Sequence, residues 1–118
     1  MMAHDKLSEL SMDFAVEIIG LVRLLKEQRE SIISNQIGRS GTSIGANIRE
    51  AKYAHGTADF VSKLQIALKE ANETAYWLEL LYKTKHIDND QYCALEAKCK
   101  SLRAMLVASI NTAKENRA

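Results

Sequence analysis

Arg39-Ser-Gly-Thr-Ser-Ile-Gly-Ala-Asn-Ile-Arg-Glu-Ala-Lys52 is the stretch whose reading decides the fold. Within it, Gly41-Thr-Ser43-Ile-Gly45 matches the G-x-S-x-G string of a serine-hydrolase nucleophile elbow. The same residues, read by spacing, place Ile37, Ile44, Ile48 and Ala51 on one side of an amphipathic helix. An elbow needs a strand before the serine and an α/β sheet around it to supply an oxyanion hole, an acid and a histidine. Only residues 32–38 read as a possible short strand, and 118 residues are too few for that fold. The helical reading is therefore preferred, and a small hydrolase using Ser43 is kept as the remote alternative.

A helix here must absorb Gly38, Gly41 and Gly45, each costing roughly 1 kcal/mol relative to alanine. Small residues at Ser40, Gly41, Thr42, Ser43, Gly45 and Ala46 offer a compensation: a neighbouring helix can come unusually close. The string also lacks the lysine of a phosphate-binding P-loop and the strand-loop-helix unit around it.

The rest of the chain supports long helices. There is no proline and only five glycines, which disfavours a turn-rich sandwich or barrel. Leu7, Leu10, Phe14, Ile18, Leu21 and Leu25 keep three-and-four spacing across a first segment from about Asp5 to Arg29. A break at Ser31 to Asn35, with Ser31 or Ser34 as N-cap, leads to a second segment from about Ile33 to His55. Gly56 reads as the glycine that ends it and Thr57 as the N-cap of a third, Ala58 to about Lys85. Phe60, Leu64, Ala67, Leu68, Ala71, Ala75, Leu78, Leu81 and Tyr82 form the apolar face of that segment. Asp88 with Gln91 resembles a capping box opening a fourth segment, whose stripe is Tyr92, Leu95, Cys99, Leu102, Leu106, Ile110 and Ala113. Lys114 to Ala118 are expected to fray. Four such helices joined by short loops predict an all-α, antiparallel up-down-up-down four-helix bundle occupying residues 1–118 as one domain.

Two helices carry a second apolar set: Met12, Val16 and Ile19 on the first, and Ile66, Trp77 and Leu80 on the third. Such back faces are unnecessary in a lone bundle, so they are assigned to a homo-oligomer interface.

Sixteen basic against fifteen acidic residues give a net charge of +1, with no global pull toward nucleic acid or membrane. Local clusters are a different matter. Arg39, Arg49 and Lys52 on the second segment, and Lys98, Lys100 and Arg103 on the fourth, are the candidate nucleic-acid contacts. A solvated face is the plain alternative, but repetition around an assembly multiplies a small patch. No metal, cofactor or catalytic group is expected. The Glu-x-x-His pairs of di-iron bundles are absent, Cys99 falls on the core stripe, and His4, His55 and His86 read as surface or helix-end residues. Cys93 and Cys99 are six apart on one helix and cannot pair with each other. With no signal-peptide region and no membrane-length apolar run, a reduced cytoplasmic setting is expected.

The sequence also carries a family resemblance. Arg39-Ser-x-Thr-Ser-Ile-x-Ala-Asn-Ile-x-Glu-Ala51, then Asp59-Phe60, Leu64-Gln-Ile-Ala-Leu-Lys-Glu-Ala71 and Glu73-Thr-x-Tyr-Trp-Leu78, resemble the bundle proteins encoded in bacterial 23S ribosomal RNA intervening sequences. The resemblance implies an up-down bundle assembling as a ring-shaped homopentamer, with no established activity. A related branch, the accessory variability determinants of diversity-generating retroelements, is similar in fold and implies a basic pentamer binding nucleic acid and a reverse transcriptase. This chain, at +1, is less basic than that branch. Arg39, Ser40, Asn47 and Glu50 then read as an architectural polar cluster, hydrogen-bonded to a neighbouring helix or subunit. The expected function is a non-enzymatic homo-oligomer binding RNA or DNA, the alternative a scaffold recruiting another protein.

Overall fold

The computed structural model describes residues 2–117, with side chains described for 6–116. It contains α1 (Met2–Glu27), α2 (Ile32–Lys52), α3 (Thr57–Lys83) and α4 (Asn89–Arg117), and no strand among the described residues. The helices form an elongated bundle of 49 × 21 × 20 Å. Each helix touches its two neighbours, α1 with α2 and α4, α3 with α2 and α4, whereas the pairs α1/α3 and α2/α4 do not meet. These are the diagonals of a four-helix bundle, and the sequential pairs run antiparallel.

The core is the set of stripes predicted from spacing. Leu7, Phe14, Ile18, Leu21 and Leu25 of α1 meet Ile33, Ile37, Ile44, Ile48 and Ala51 of α2. Leu64, Ala67, Ala71, Leu78 and Leu81 of α3 and Leu95, Cys99, Leu102, Leu106 and Ile110 of α4 complete it. Val61 and Ile87, outside the predicted stripes, are also buried, while Tyr82 is 37% exposed and Leu10, Phe60, Leu68, Ala75, Tyr92 and Ala113 are half-buried.

The glycines of α2 face α1. A Cβ on Gly41 would stand 2.9 Å from both Ile18 Cγ1 and Cγ2. One on Gly38 would lie 3.2 Å from Val22 Cγ2, and one on Gly45 3.2 Å from Ser11 Oγ. The close approach expected of this stretch is thus to α1.

The helix ends differ from expectation in three places. Ser31 occupies the N-cap position of α2 but makes no side-chain cap, and Ser34 lies inside the helix. The preceding Glu30 does the work instead: its carboxylate accepts from the amides of Ile33 (3.1 Å) and Ser34 (2.9 Å). An acid serves well there, because it meets the positive end of the helix dipole as well as two orphan donors. Gly56 (φ 113°) precedes α3 directly rather than closing α2, and Thr57 is the first helical residue. α2 stops at Lys52, short of the predicted His55, and α4 runs to Arg117. The capping box is as read: Asp88 N donates to Gln91 Oε1 (2.9 Å) and Gln91 N to Asp88 Oδ1 (2.8 Å).

Both α1 and α3 close with a Schellman motif. In α1, Arg29 N donates to Lys26 O (3.0 Å) and Glu30 N to Leu25 O (2.8 Å). In α3, Lys85 N donates to Tyr82 O (3.0 Å) and His86 N to Leu81 O (2.9 Å). The left-handed residue is usually glycine, yet here it is Arg29 (φ 63°) and Lys85 (φ 66°). A side chain in that conformation costs about 1–2 kcal/mol, against about 0.5–1 kcal/mol of extra chain entropy for glycine. Lys85→Gly should therefore raise unfolding stability by about 0.5–1 kcal/mol, read from a denaturant midpoint at unchanged slope.

Candidate functional site

Ser43 sits in the middle of α2, half-buried, and its Oγ donates to Arg39 O at 2.6 Å, one turn back in its own helix. No strand–turn–helix elbow surrounds it among the described residues. What the stretch does build is a polar seam between α2 and α3. Arg39 Nη1 donates to Glu70 Oε1 (3.1 Å) and its Nη2 is hydrogen-bonded to Glu73 Oε2. The same Glu73 oxygen accepts from Trp77 Nε1 at 3.0 Å. Thr74 Oγ1 lies 2.8 Å from both Ser40 Oγ and Glu70 O. With one proton to give, Thr74 donates to the carbonyl and accepts from Ser40, so this fully buried pair is satisfied. Further along, Lys63 Nζ is 3.5 Å from Glu50 Oε1. Of the predicted polar cluster, Arg39, Ser40 and Glu50 reach α3, while Asn47 bonds within α2, to Ser43 O.

The electrostatics follow from these contacts. The Trp77 indole N–H and then the Arg39 guanidinium hold the Glu73 carboxyl below its ordinary value, and Arg39 is raised chiefly by Glu73. A carboxylate with a depressed folded-state pKa stabilises the fold above its ordinary titration range. That contribution disappears as pH falls through the range to the lower folded value. Glu73→Gln should accordingly flatten the acid limb of a stability–pH profile below about pH 5, compared with the unsubstituted chain.

The candidate nucleic-acid contacts do not form one surface. Arg39, Arg49 and Lys52 lie on α2 and Lys98, Lys100 and Arg103 on α4, across a diagonal of the bundle. Three of them are already paired: Arg39 as above, Lys98 with Glu17 of α1, and Arg103 with Glu96 at 2.9 Å. Lys52 is exposed. Arg49 and Lys100 are exposed and make no ion pair among the described residues.

The two apolar sets also separate. Met12, Val16 and Ile19 are 49, 63 and 41% exposed on the side of α1 opposite its core stripe. On α3, Ile66 is exposed, but Trp77 and Leu80 are half-buried against the core. Trp77 reaches the α2–α3 seam through its Nε1, which donates to the Glu73 oxygen that also holds Arg39. Tyr76, exposed, meets the Trp77 ring edge-on with centroids 4.9 Å apart.

Cys99 is buried, its thiol donating to Ala71 O at 3.3 Å, and burial pushes it up to about 11, which makes it a packing residue. Cys93 is exposed, and neither cysteine is in a disulfide. Among the described residues no group of histidine, cysteine and acidic side chains has the geometry to hold a metal. His55 and His86 lie at helix ends, and the side chain of His4 lies outside the described residues.

Comparison with known proteins decides the family. The profile of the 23S rRNA-intervening sequence proteins matches residues 5–108. The chain belongs to that family. Among solved structures, the chain is similar to a crystal structure from Bacteroides thetaiotaomicron, described as a protein with unknown function from the S23 ribosomal protein family. The two are 48% identical, over 92% of this chain and 98% of that one, with a TM-score of 0.90. No functionally curated protein matches. Membership thus carries fold and lineage, not a reaction. No helix among the described residues of the family member is long and apolar enough to cross a membrane.

Sequence reasoning missed Glu30, Glu70, Glu73 and Thr74, the acceptors that occupy Arg39, Ser40 and the α2 amides. An acid just before a helix, as at Glu30, was the one available signal. The pairings of Arg39 span 31 and 34 residues, and no local pattern announces them.

Proposed function

We propose that this family member is a non-enzymatic homo-oligomer, arranged as a ring, whose assembled surface binds RNA or DNA. The observation supporting assembly is the pair of apolar areas on α1 and α3, helices that do not touch. Two different patches on separate sides of a subunit suit a head-to-tail contact, in which one copy's α1 face meets the next copy's α3 flank. Such contacts close into rings when the rotation allows, and five copies is the number the family resemblance implies.

Nucleic acid is the partner suggested by the exposed cations and by repetition of each patch around a ring. Because Arg39, Lys98 and Arg103 are held by carboxylates, Arg49 and Lys100, exposed and without an ion pair among the described residues, are the candidate cations best placed for it. The test is binding of labelled RNA across a salt series. Affinity that falls steeply with salt, and falls further when Arg49 and Lys100 become glutamine, supports the reading; no binding at low salt overturns it. The near-neutral charge favours one second reading, a scaffold for another protein. A pulldown repeated after nuclease digestion separates them, since a partner bridged by nucleic acid disappears on digestion.

A further inference from the structure

The loops at one end of the bundle carry features that the α2 and α4 flanks lack. Gln28 Nε2 donates to His86 O at 3.4 Å, so the α1–α2 and α3–α4 connections sit side by side. Both left-handed residues, Arg29 and Lys85, belong to this end. The sequence thus places a long cation where the backbone favours glycine, twice, in one neighbourhood.

Beside Lys85 lies an open depression of about 580 Å³, whose wall includes Tyr82, Lys83, Lys85, His86, Asn89 and Gln91. Lys85 makes no ion pair or side-chain hydrogen bond among the described residues. Lys83 has only a loose exposed partner, Glu79, at 3.9 Å. Thr84 Oγ1 gives its one proton to Leu80 O at 2.7 Å and so accepts from His86 Nδ1 at 2.9 Å, which fixes the ring. Asp88 also lines the depression and keeps its negative charge there, with Oδ1 turned to the Gln91 amide at the start of α4. The Gln91 carboxamide oxygen is taken by Asp88 N, and its amide N–H groups remain as donors.

One aromatic pair completes the wall. Tyr82 and Tyr92 stack with centroids 4.8 Å apart and planes 14° from parallel. Tyr92 is half-buried and Tyr82 is 37% exposed, so Tyr92 backs one face of Tyr82 while the ring stays accessible. A braced, exposed tyrosine next to exposed cations is the arrangement by which proteins hold unpaired nucleotides: the base stacks on the ring and the backbone meets the charges.

We propose that this end of the bundle is a single-stranded nucleic-acid contact, with Lys83 and Lys85 meeting phosphodiester groups and Tyr82 stacking a base. The proposal rests on the nucleic-acid reading above and moves its centre from the helix flanks to the α3–α4 turn.

Labelled oligouridylate titrated against the full chain at several salt concentrations provides the test. Lys83→Gln with Lys85→Gln should weaken binding about tenfold and lower the salt slope by about 0.7 for each phosphate no longer neutralised. Tyr82→Ala should weaken it about tenfold while Tyr82→Phe stays near the unsubstituted protein. Lys85→Gly should bind more weakly although it unfolds at higher denaturant, a split that a merely structural role does not produce. If these variants bind as well as the unsubstituted chain while Arg49→Gln with Lys100→Gln binds less, the end site is wrong and the flank reading stands. If the unsubstituted chain does not bind even at low salt, both readings fall.

Discussion

Replacing Gly41 by leucine is expected to cost about 3 kcal/mol of stability or more, enough to leave much of the chain unfolded at moderate denaturant. The first added atom, Cβ, already meets Ile18 Cγ1 and Cγ2 at 2.9 Å, and Ile18 is itself fully buried. Ile18 is β-branched on a helix, so it has essentially one rotamer and cannot swing aside. α1 must then move away from α2, opening the packing around Phe14 and Ile37. Against this stands a helix-propensity gain of under ~1 kcal/mol, which the steric term exceeds. Gly20→Ala is the matched control: nothing lies within 4 Å of its Cβ, so the propensity gain of about 0.5–1 kcal/mol should appear as added stability. Chemical denaturation of both variants checks the pair. A stable Gly41→Leu protein would show that the glycines are not there to let α1 approach.

The second large effect is on assembly. Val16→Glu with Ile19→Glu should reduce the oligomer to monomers at micromolar concentration while leaving the helical content nearly unchanged, the unfolding midpoint falling only by what the subunit contact had contributed. Val16 and Ile19 face away from the core, so the substituted carboxylates remain hydrated in the monomer and cost its fold little. In a subunit contact the same carboxylates would be desolvated against an apolar neighbour, which is prohibitive without a partner cation. Trp77 is a poorer probe. Its half-burial and its hydrogen bond to Glu73 mean that Trp77→Ala removes packing from the α2–α3 seam as well as from any interface. Size-exclusion chromatography with light scattering reads the first variant, and circular dichroism confirms that it is folded.

The bundle was legible because its signal is periodic and local. Phe14, Ile18 and Leu25, or Leu102, Leu106 and Ile110, repeat at helical spacing with no proline between them, and all of them are buried. The Arg39 to Lys52 stretch was legible in part. Its glycines implied a close neighbour, but a glycine has no side chain to say which one, and only the packing against Ile18 identifies α1. The candidate site was less readable, because charge partners are set by tertiary contact. Arg39 and Lys98 look like free cations in the string, and each is taken by a carboxylate from another helix. Trp77 shows a related difficulty: a position well off the core stripe is still covered when the side chain is long and the adjacent helix lies close. Lys85 was missed because nothing in its local pattern marks a lysine as left-handed; glycine or asparagine at that position would have done so.

The solution mass of the intact protein tests the central claim most directly. Native mass spectrometry or light scattering at near-physiological salt should return a multiple of the 13.2 kDa chain, with five copies the expected number. A mass of one chain at every concentration measured would contradict the account, leaving the α1 and α3 apolar faces without the partner proposed for them.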